Sequence, residues 1–242
     1  YYPDEGAGQT NNVVSSTFAL TPGVSLYGGF AATETLPTER DWEAHVTVLS
    51  GDIDQNDTVD AHGVVTHTAN ISGSNALHVV TSGGAIDSAT TLDGFSITAG
   101  DGGDKDGGGM RNGGSPSLEH LVFSGNRASL GGGLYNTGDP SISRVTFMNN
   151  SATDTYWEKG GGGMQNYEGA PTLTDVAFIG NKTPGYGGGL ANYQGSISLV
   201  NASFSNNTAG DYGGGMYNEG GAFLNIVTFS NNTAYTGGAI YV

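Results

Sequence analysis

Gly161-Gly162-Gly163-Met164-Gln165-Asn166, followed by Leu173-Thr174-Asp175-Val176-Ala177-Phe178-Ile179-Gly180-Asn181, is one unit of a repeat that decides the fold. Glycine runs ending in one apolar residue start at Gly107, Gly131, Gly161, Gly187, Gly213 and Gly237, at spacings of 24, 30, 26, 26 and 24 residues. Two positions past the apolar residue stand Asn112, Asn136, Asn166, Asn192 and Asn218, with Val242 in the sixth unit. The second half of each unit reads L-x-x-V-x-F-x-x-N. Its columns are Leu118, Ile142, Leu173, Leu199 and Leu224, then Leu121, Val145, Val176, Ala202 and Val227. Phe123, Phe147, Phe178, Phe204 and Phe229 follow, and Asn126, Asn150, Asn181, Asn207 and Asn232 close the unit as a structural ladder.

A fixed period in this range marks a unit that cannot bury its apolar face alone and must stack on its neighbours. Apolar residues two apart, as in Val145 and Phe147, between Gly, Asn and Ser are strand chemistry rather than helix chemistry. A leucine-rich repeat would show several leucines per unit, whereas these columns are mixed and glycine runs recur. The reading is all-β, a right-handed parallel β-helix of about nine or ten coils. At about 4.7–4.9 Å per stacked strand this makes a rod roughly 45 Å long. Phe stacks on Phe inside it, Asn on Asn at the corners, and the glycines serve the turns.

Outward from the repeat, 1–242 reads as one domain, with a cap and irregular coils over 1–106 and regular coils over 107–242. Gly (43 residues) and Pro (7) reach about 21% of the chain, short of the roughly 25–30% of low-complexity disorder. A net charge of −16 disfavours nucleic acid and anionic membrane surfaces as partners. No apolar run approaches a membrane span of about 20 residues. Cysteine is absent, which leaves the redox compartment unread. The opening Tyr1-Tyr2-Pro3 shows no signal peptide and reads as a processed or truncated start.

Between early strand signals, Thr33 to Glu43 breaks the β pattern and is expected to fold over the first coil as a cap. The cluster Asp52, Asp54, Asn56, Thr58 and Asp60 alternates oxygen side chains as a calcium loop does. Asp57 and Gly63 stand where an EF-hand needs Gly and Glu, so this is not that motif. It reads either as a structural calcium site or as a solvated acidic loop, with Asp101, Asp104 and Asp106 as a weaker second cation candidate. Tyr156 and Trp157, in the longest unit, are expected to protrude.

An enzyme acting on acidic polysaccharide needs a base facing carboxylates, or paired carboxylates on neighbouring coils. Arg40, Lys105, Arg111, Arg127, Arg144, Lys159 and Lys182 fall in turns or at variable outward positions. Arg144 and Asp175 share one frame position without implying a cleft, and the five histidines show no metal-ligand spacing. Sequons at Asn149, Asn206 and Asn231 recur just before the asparagine ladder, where glycans would line one edge.

Gly237-Gly238-Ala239-Ile240, with Phe123-Ser124-Gly125-Asn126 and Phe229-Ser230-Asn231-Asn232, resembles the polymorphic outer membrane protein repeat and related surface β-helix proteins of environmental bacteria. Leu26-Tyr27-Gly28-Gly29-Phe30 and Leu49-Ser50-Gly51-Asp52-Ile53-Asp54 resemble the front end of those proteins. The resemblance implies an extracellular or cell-surface structural or adhesive protein without enzyme activity, ordinarily flanked by a secretion signal and an anchor. Both end coils read as incomplete, and open ends would self-associate head to tail into a filament or surface layer. Surface glycans are a further candidate partner. The alternative is a carbohydrate-active enzyme or carbohydrate-binding module on the same scaffold.

Overall fold

The computed structural model describes residues 1–154 and 160–242. Tyr156 and Trp157, expected to protrude, lie outside the described residues. The chain is a parallel β-helix. An eight-stranded sheet runs from Phe18–Ala19 through Val80–Ser82, Met110–Asn112, Leu134–Asn136, Met164–Tyr167, Leu190–Tyr193 and Met216–Asn218 to Ile240–Tyr241. An eleven-stranded sheet carries the L-x-x-V-x-F half of each unit, and a four-stranded sheet begins at Arg127–Ala128. All strand pairs within these sheets are parallel and in the register of the repeat, as in Leu118↔Ile142↔Leu173↔Leu199↔Leu224.

The eight ranks of the eight-stranded sheet are fewer than the nine or ten coils expected, and at the strand spacing they span roughly 34 Å. The reason lies in residues 1–106, which supply only two ranks of that sheet, Phe18–Ala19 and Val80–Ser82. Much of the chain between those two ranks runs in loops around them.

Why the frame has gaps of three is visible in the backbone. In a flat strand, residues three apart point to opposite faces, yet Leu173 and Val176 are both buried. The residue before the second one is left-handed in every regular coil, at His120, Arg144, Asp175, Asn201 and Ile226, with φ of 47 to 56°. That single residue turns the corner and returns the next side chain to the interior. The same device lies between Phe and Asn, at Gly125, Asn149, Gly180, Asn206 and Asn231. Gly and Asn there follow from their tolerance of positive φ.

Inside, Phe123, Phe147, Phe178, Phe204 and Phe229 stack with ring centroids 4.7 to 4.9 Å apart. The first four are fully buried, and each such side chain contributes about 1.5–3 kcal/mol. At the ends the columns come to the surface. Leu26 and Tyr27 are exposed at one end, Phe223, Leu224 and Ile226 at the other.

Candidate functional site

The polar groups that the fold concentrates lie on the flank of the first coils. The excursion between Ser25–Tyr27 and Thr47–Ser50 contains one 3-10 turn, Pro37–Glu39, and then delivers Arg40 and Trp42 to the rod. It covers the first coil only in part: Leu26 and Tyr27 stay exposed, and its side chains reach Tyr27 and Gly28 of that coil as well as Asp93 and His120 of the next two. Arg40 donates Nη2 to Asp93 Oδ2 and Nη1 to the Gly28 carbonyl at 3.2 Å. Its guanidinium sits 5.0 Å from the ring centre of Tyr27 and 5.3 Å from that of Trp42. Trp42 in turn stacks on His120 at 3.8 Å.

His120 and Arg144 occupy one corner position on successive coils, and Asp93 pairs in register with Glu119. Arg144 Nη1 lies 3.1 Å from His120 Nε2, and His120 Nδ1 lies 2.8 Å from Asp93 Oδ1. A guanidinium can only donate. Nε2 therefore accepts, and the ring proton sits on Nδ1, donated to Asp93. Arg144, His120, Asp93 and Arg40 thus form one continuous hydrogen-bonded chain, with the Asp93 and Arg40 side chains less than a tenth exposed.

Beside this chain opens a cavity of about 260 Å³, lined by Trp42, Glu43, Ser96, His120, Arg144 and Thr146 among others. The cleft that the frame position of Arg144 does not imply in the sequence is therefore present. A left-handed corner residue in every coil makes the flank concave there. Among the described residues, Asp93, Glu119 and His120 also form a trio with ligand atoms within 4.8 Å of one another. Arg40 and Arg144 already supply positive charge to that trio. A divalent cation would have to displace a guanidinium, so the arrangement reads as an ion and hydrogen-bond network, buried at Arg40 and Asp93 and open to solvent at Arg144.

The loop after Ser50 is built differently from its alternating sequence. Asp52 accepts the backbone N–H groups of Asn56 and Asp57 at 3.0 and 3.1 Å, and Asp54 accepts that of Ser74 at 2.9 Å. Asp60 accepts from His62 and Val64 and so closes its own turn. Asn56, Thr58 and Asp60 are exposed, whereas Asp52 is buried. Asp57, outside the alternation, is partly buried and takes Ser72 N–H and Asn75 Nδ2. Burial, with the charges of Asp52 and Asp54 adding to it, pushes its carboxyl above the ordinary range. In the second acidic stretch, Asp101 pairs with Arg127 and Asp104 with Lys105.

Both sets of asparagines form ladders. Each of Asn126, Asn150, Asn181 and Asn207 donates from Nδ2 and from its backbone N–H to Oδ1 of the next, at 2.9 to 3.1 Å. Asn112, Asn136, Asn166, Asn192 and Asn218 form a second ladder, each Nδ2 donating to the next Oδ1 at 2.7 Å. Of the sequon residues, Asn206 and Asn231 are exposed, while Asn149 is half-buried and donates Nδ2 to the Thr66 carbonyl at 2.9 Å.

The Chlamydia polymorphic membrane protein repeat matches at residues 120–137 and 226–242. Each matched stretch spans a corner, a Phe, a ladder Asn and the glycine run after it. The chain resembles the polymorphic membrane proteins. No curated protein and no solved structure gives a significant match. Among the described residues, no helix is long and apolar enough to cross a membrane.

Reading the sequence does not single out Arg40, Trp42, Asp93 or His120. The signal available for His120 was its spacing of one whole repeat from Arg144, which puts the two side by side on adjacent coils. Nothing local ties Arg40 to Asp93, 53 residues away.

Proposed function

We propose that this chain is a non-enzymatic structural or adhesive β-helix, extracellular or at the cell surface, whose rods stack end to end into a filament or layer. The observation that carries this reading is the likeness to the polymorphic membrane protein repeat on a rod of stacked parallel strands. Stacking of rods is supported by strand edges: among the described residues, Gly221–Ser230 pairs on one side only, with Ser196–Ser205. Ser25–Tyr27 likewise pairs only with Thr91–Asp93, and an apolar cavity of about 260 Å³ lined by Phe18, Leu20, Leu26 and Leu49 opens beside it. Unpaired strand edges are templates for another chain. The columns also match: Leu224 and Phe229 at one end are the register equivalents of Leu26 and Leu49 at the other. A heterologous contact of this kind does not close and propagates. Electron microscopy of the purified chain is the test. Rods of many times the roughly 34 Å of one subunit, repeating at that length, are expected; uniform short particles at all concentrations would overturn end-to-end stacking.

The flank cavity favours a second reading, a carbohydrate-binding or carbohydrate-active surface. Hydroxyl and charged groups converging on a concave site are what a sugar ligand requires, and Arg144 has donors beyond the one it gives to His120. Isothermal titration against neutral and acidic oligosaccharides, with Arg144→Ala as the comparison, decides it. Heat of binding lost in the variant supports a glycan site, and its absence throughout the panel removes this reading.

A further inference from the structure

Between the loop 52–60 and the segment 72–75, oxygen side chains crowd together without a basic partner. Asp52, Asp54 and Asp57 form none of the ion pairs found among the described residues. The segment opposite contributes Asn75, which is only 5% exposed. Its amide orientation is fixed by two donated bonds from Nδ2, to Asp57 Oδ2 and to the Ala99 carbonyl, both 2.8 Å. Oδ1 of the same amide is buried and has no hydrogen-bond partner. The same is true of Asp54 Oδ1, the oxygen left over after Oδ2 has accepted Ser74 N–H.

Buried oxygens of this kind are costly unless something positive meets them. The surplus is of acceptors, so a further acceptor cannot satisfy them, and the one guanidinium that feels Asp57, Arg127, is already paired with Asp101. A hard cation can. We propose that this nest binds one calcium ion, with Asp54 Oδ1 and Asn75 Oδ1 as direct ligands and with Asp52 and Asp57 supplying the balancing charge. Carboxylate and amide oxygens on flexible loops suit calcium, whereas magnesium demands near-ideal octahedral geometry and keeps its waters. The ligand set differs from the alternation of the sequence, because Thr58 and Asp60 face away and Asn75 arrives from another segment. Binding joins the acidic loop to the segment entering the second coil, and so stiffens the least regular part of the rod. The inference is independent of end-to-end stacking.

The test is calorimetric titration of the full chain with calcium and with magnesium, alongside thermal unfolding in chelator and in calcium. One calcium site is expected, with Kd on the order of 10⁻⁴–10⁻³ M as in extracellular modules. At a tenfold excess over Kd the Tm rises by about 3–6 °C, and magnesium at the same concentration gives little of this shift. Asp54→Asn, which keeps an acceptor for Ser74 N–H, abolishes the shift without lowering Tm in chelator. Asp60→Asn keeps the shift. A wild-type chain that shows neither heat nor a Tm shift with calcium overturns the proposal. So does an equal response to magnesium, an undiminished response in Asp54→Asn, or a response lost in Asp60→Asn.

Discussion

Asn150 gives two hydrogen bonds to a single atom, Oδ1 of Asn181 one coil further on, from its backbone N–H at 3.0 Å and its Nδ2 at 3.1 Å. Asn181 repeats the pattern toward Asn207 and returns Nδ2 to the Phe147 carbonyl at 2.8 Å. Replacing Asn181 by Ala orphans donors on one side and acceptors on the other in a fully buried site. At about 1–3 kcal/mol for each orphaned group, a loss of about 3–5 kcal/mol in unfolding free energy is expected. Chemical denaturation of the variant measures it, and a loss below about 1 kcal/mol would show that the ladder is dispensable.

The corner position gives the opposite sign. Asp175 and Asn201 tolerate a left-handed backbone, but Ile226 is β-branched, sits at φ 54° and is 69% exposed. The left-handed conformation costs such a residue about 1–2 kcal/mol. Ile226→Asn is therefore expected to raise stability by about 1 kcal/mol, read as a higher denaturation midpoint at unchanged slope. A destabilised variant would mean that Ile226 gains more from packing than its backbone loses.

Arg40 and Asp93 are coupled. Removing one member of a buried pair leaves an uncompensated charge and costs about 3–5 kcal/mol, whereas apolar replacement of both is often close to neutral. Arg40→Met alone is expected to destabilise and to change Trp42 fluorescence as the excursion comes away from His120. The double variant Arg40→Met with Asp93→Leu is expected to lose less than the two single losses added together, the remaining deficit reflecting the bond that Asp93 accepts from His120. Simple additivity of the two single losses would rule out the coupling.

His78 makes stability depend on pH. Its ring is partly buried with Nδ1 3.0 Å from the Gly107 carbonyl, and burial lowers its pKa below 6.5. As pH falls below about 6.5 the unfolded chain takes the proton first, so stability present above that pH is lost as pH drops through the folded-state value. In the variant His78→Asn, whose amide can still reach the carbonyl, this loss should disappear. Melting curves between pH 7.5 and about 5 compare the two; parallel curves would remove His78 from the account.

The repeating part of the fold was legible because each feature has a one-residue cause. Columns of Leu, Phe and Asn give the stacking, and each gap of three in L-x-x-V and F-x-x-N is a corner made by one left-handed residue. The sequence also explains why Asn149, Asn206 and Asn231 recur: they share a turn position with Gly125 and Gly180. The first 106 residues were harder. There the length spent on excursions cannot be told from length spent on coils, which is why the coil count came out high. The flank and loop sites join distant segments, Arg40 to Asp93 and Asp57 to Asn75, by bonds that no local spacing announces. Alternation in 52–60 suggested convergence of every second side chain, but Asp60 is consumed by its own turn.

Because every rank presents the same columns to the rank on either side, the interior is defined by neighbours alone. One unit of 24 or 26 residues is thus a self-contained unit of inheritance. Duplicating one in frame leaves each existing contact in place and adds one more Phe, two more corners and two more asparagines. Deleting one brings compatible surfaces back together. Such a chain can change its reach in evolution by recombination between its own repeats, without passing through an unfoldable intermediate.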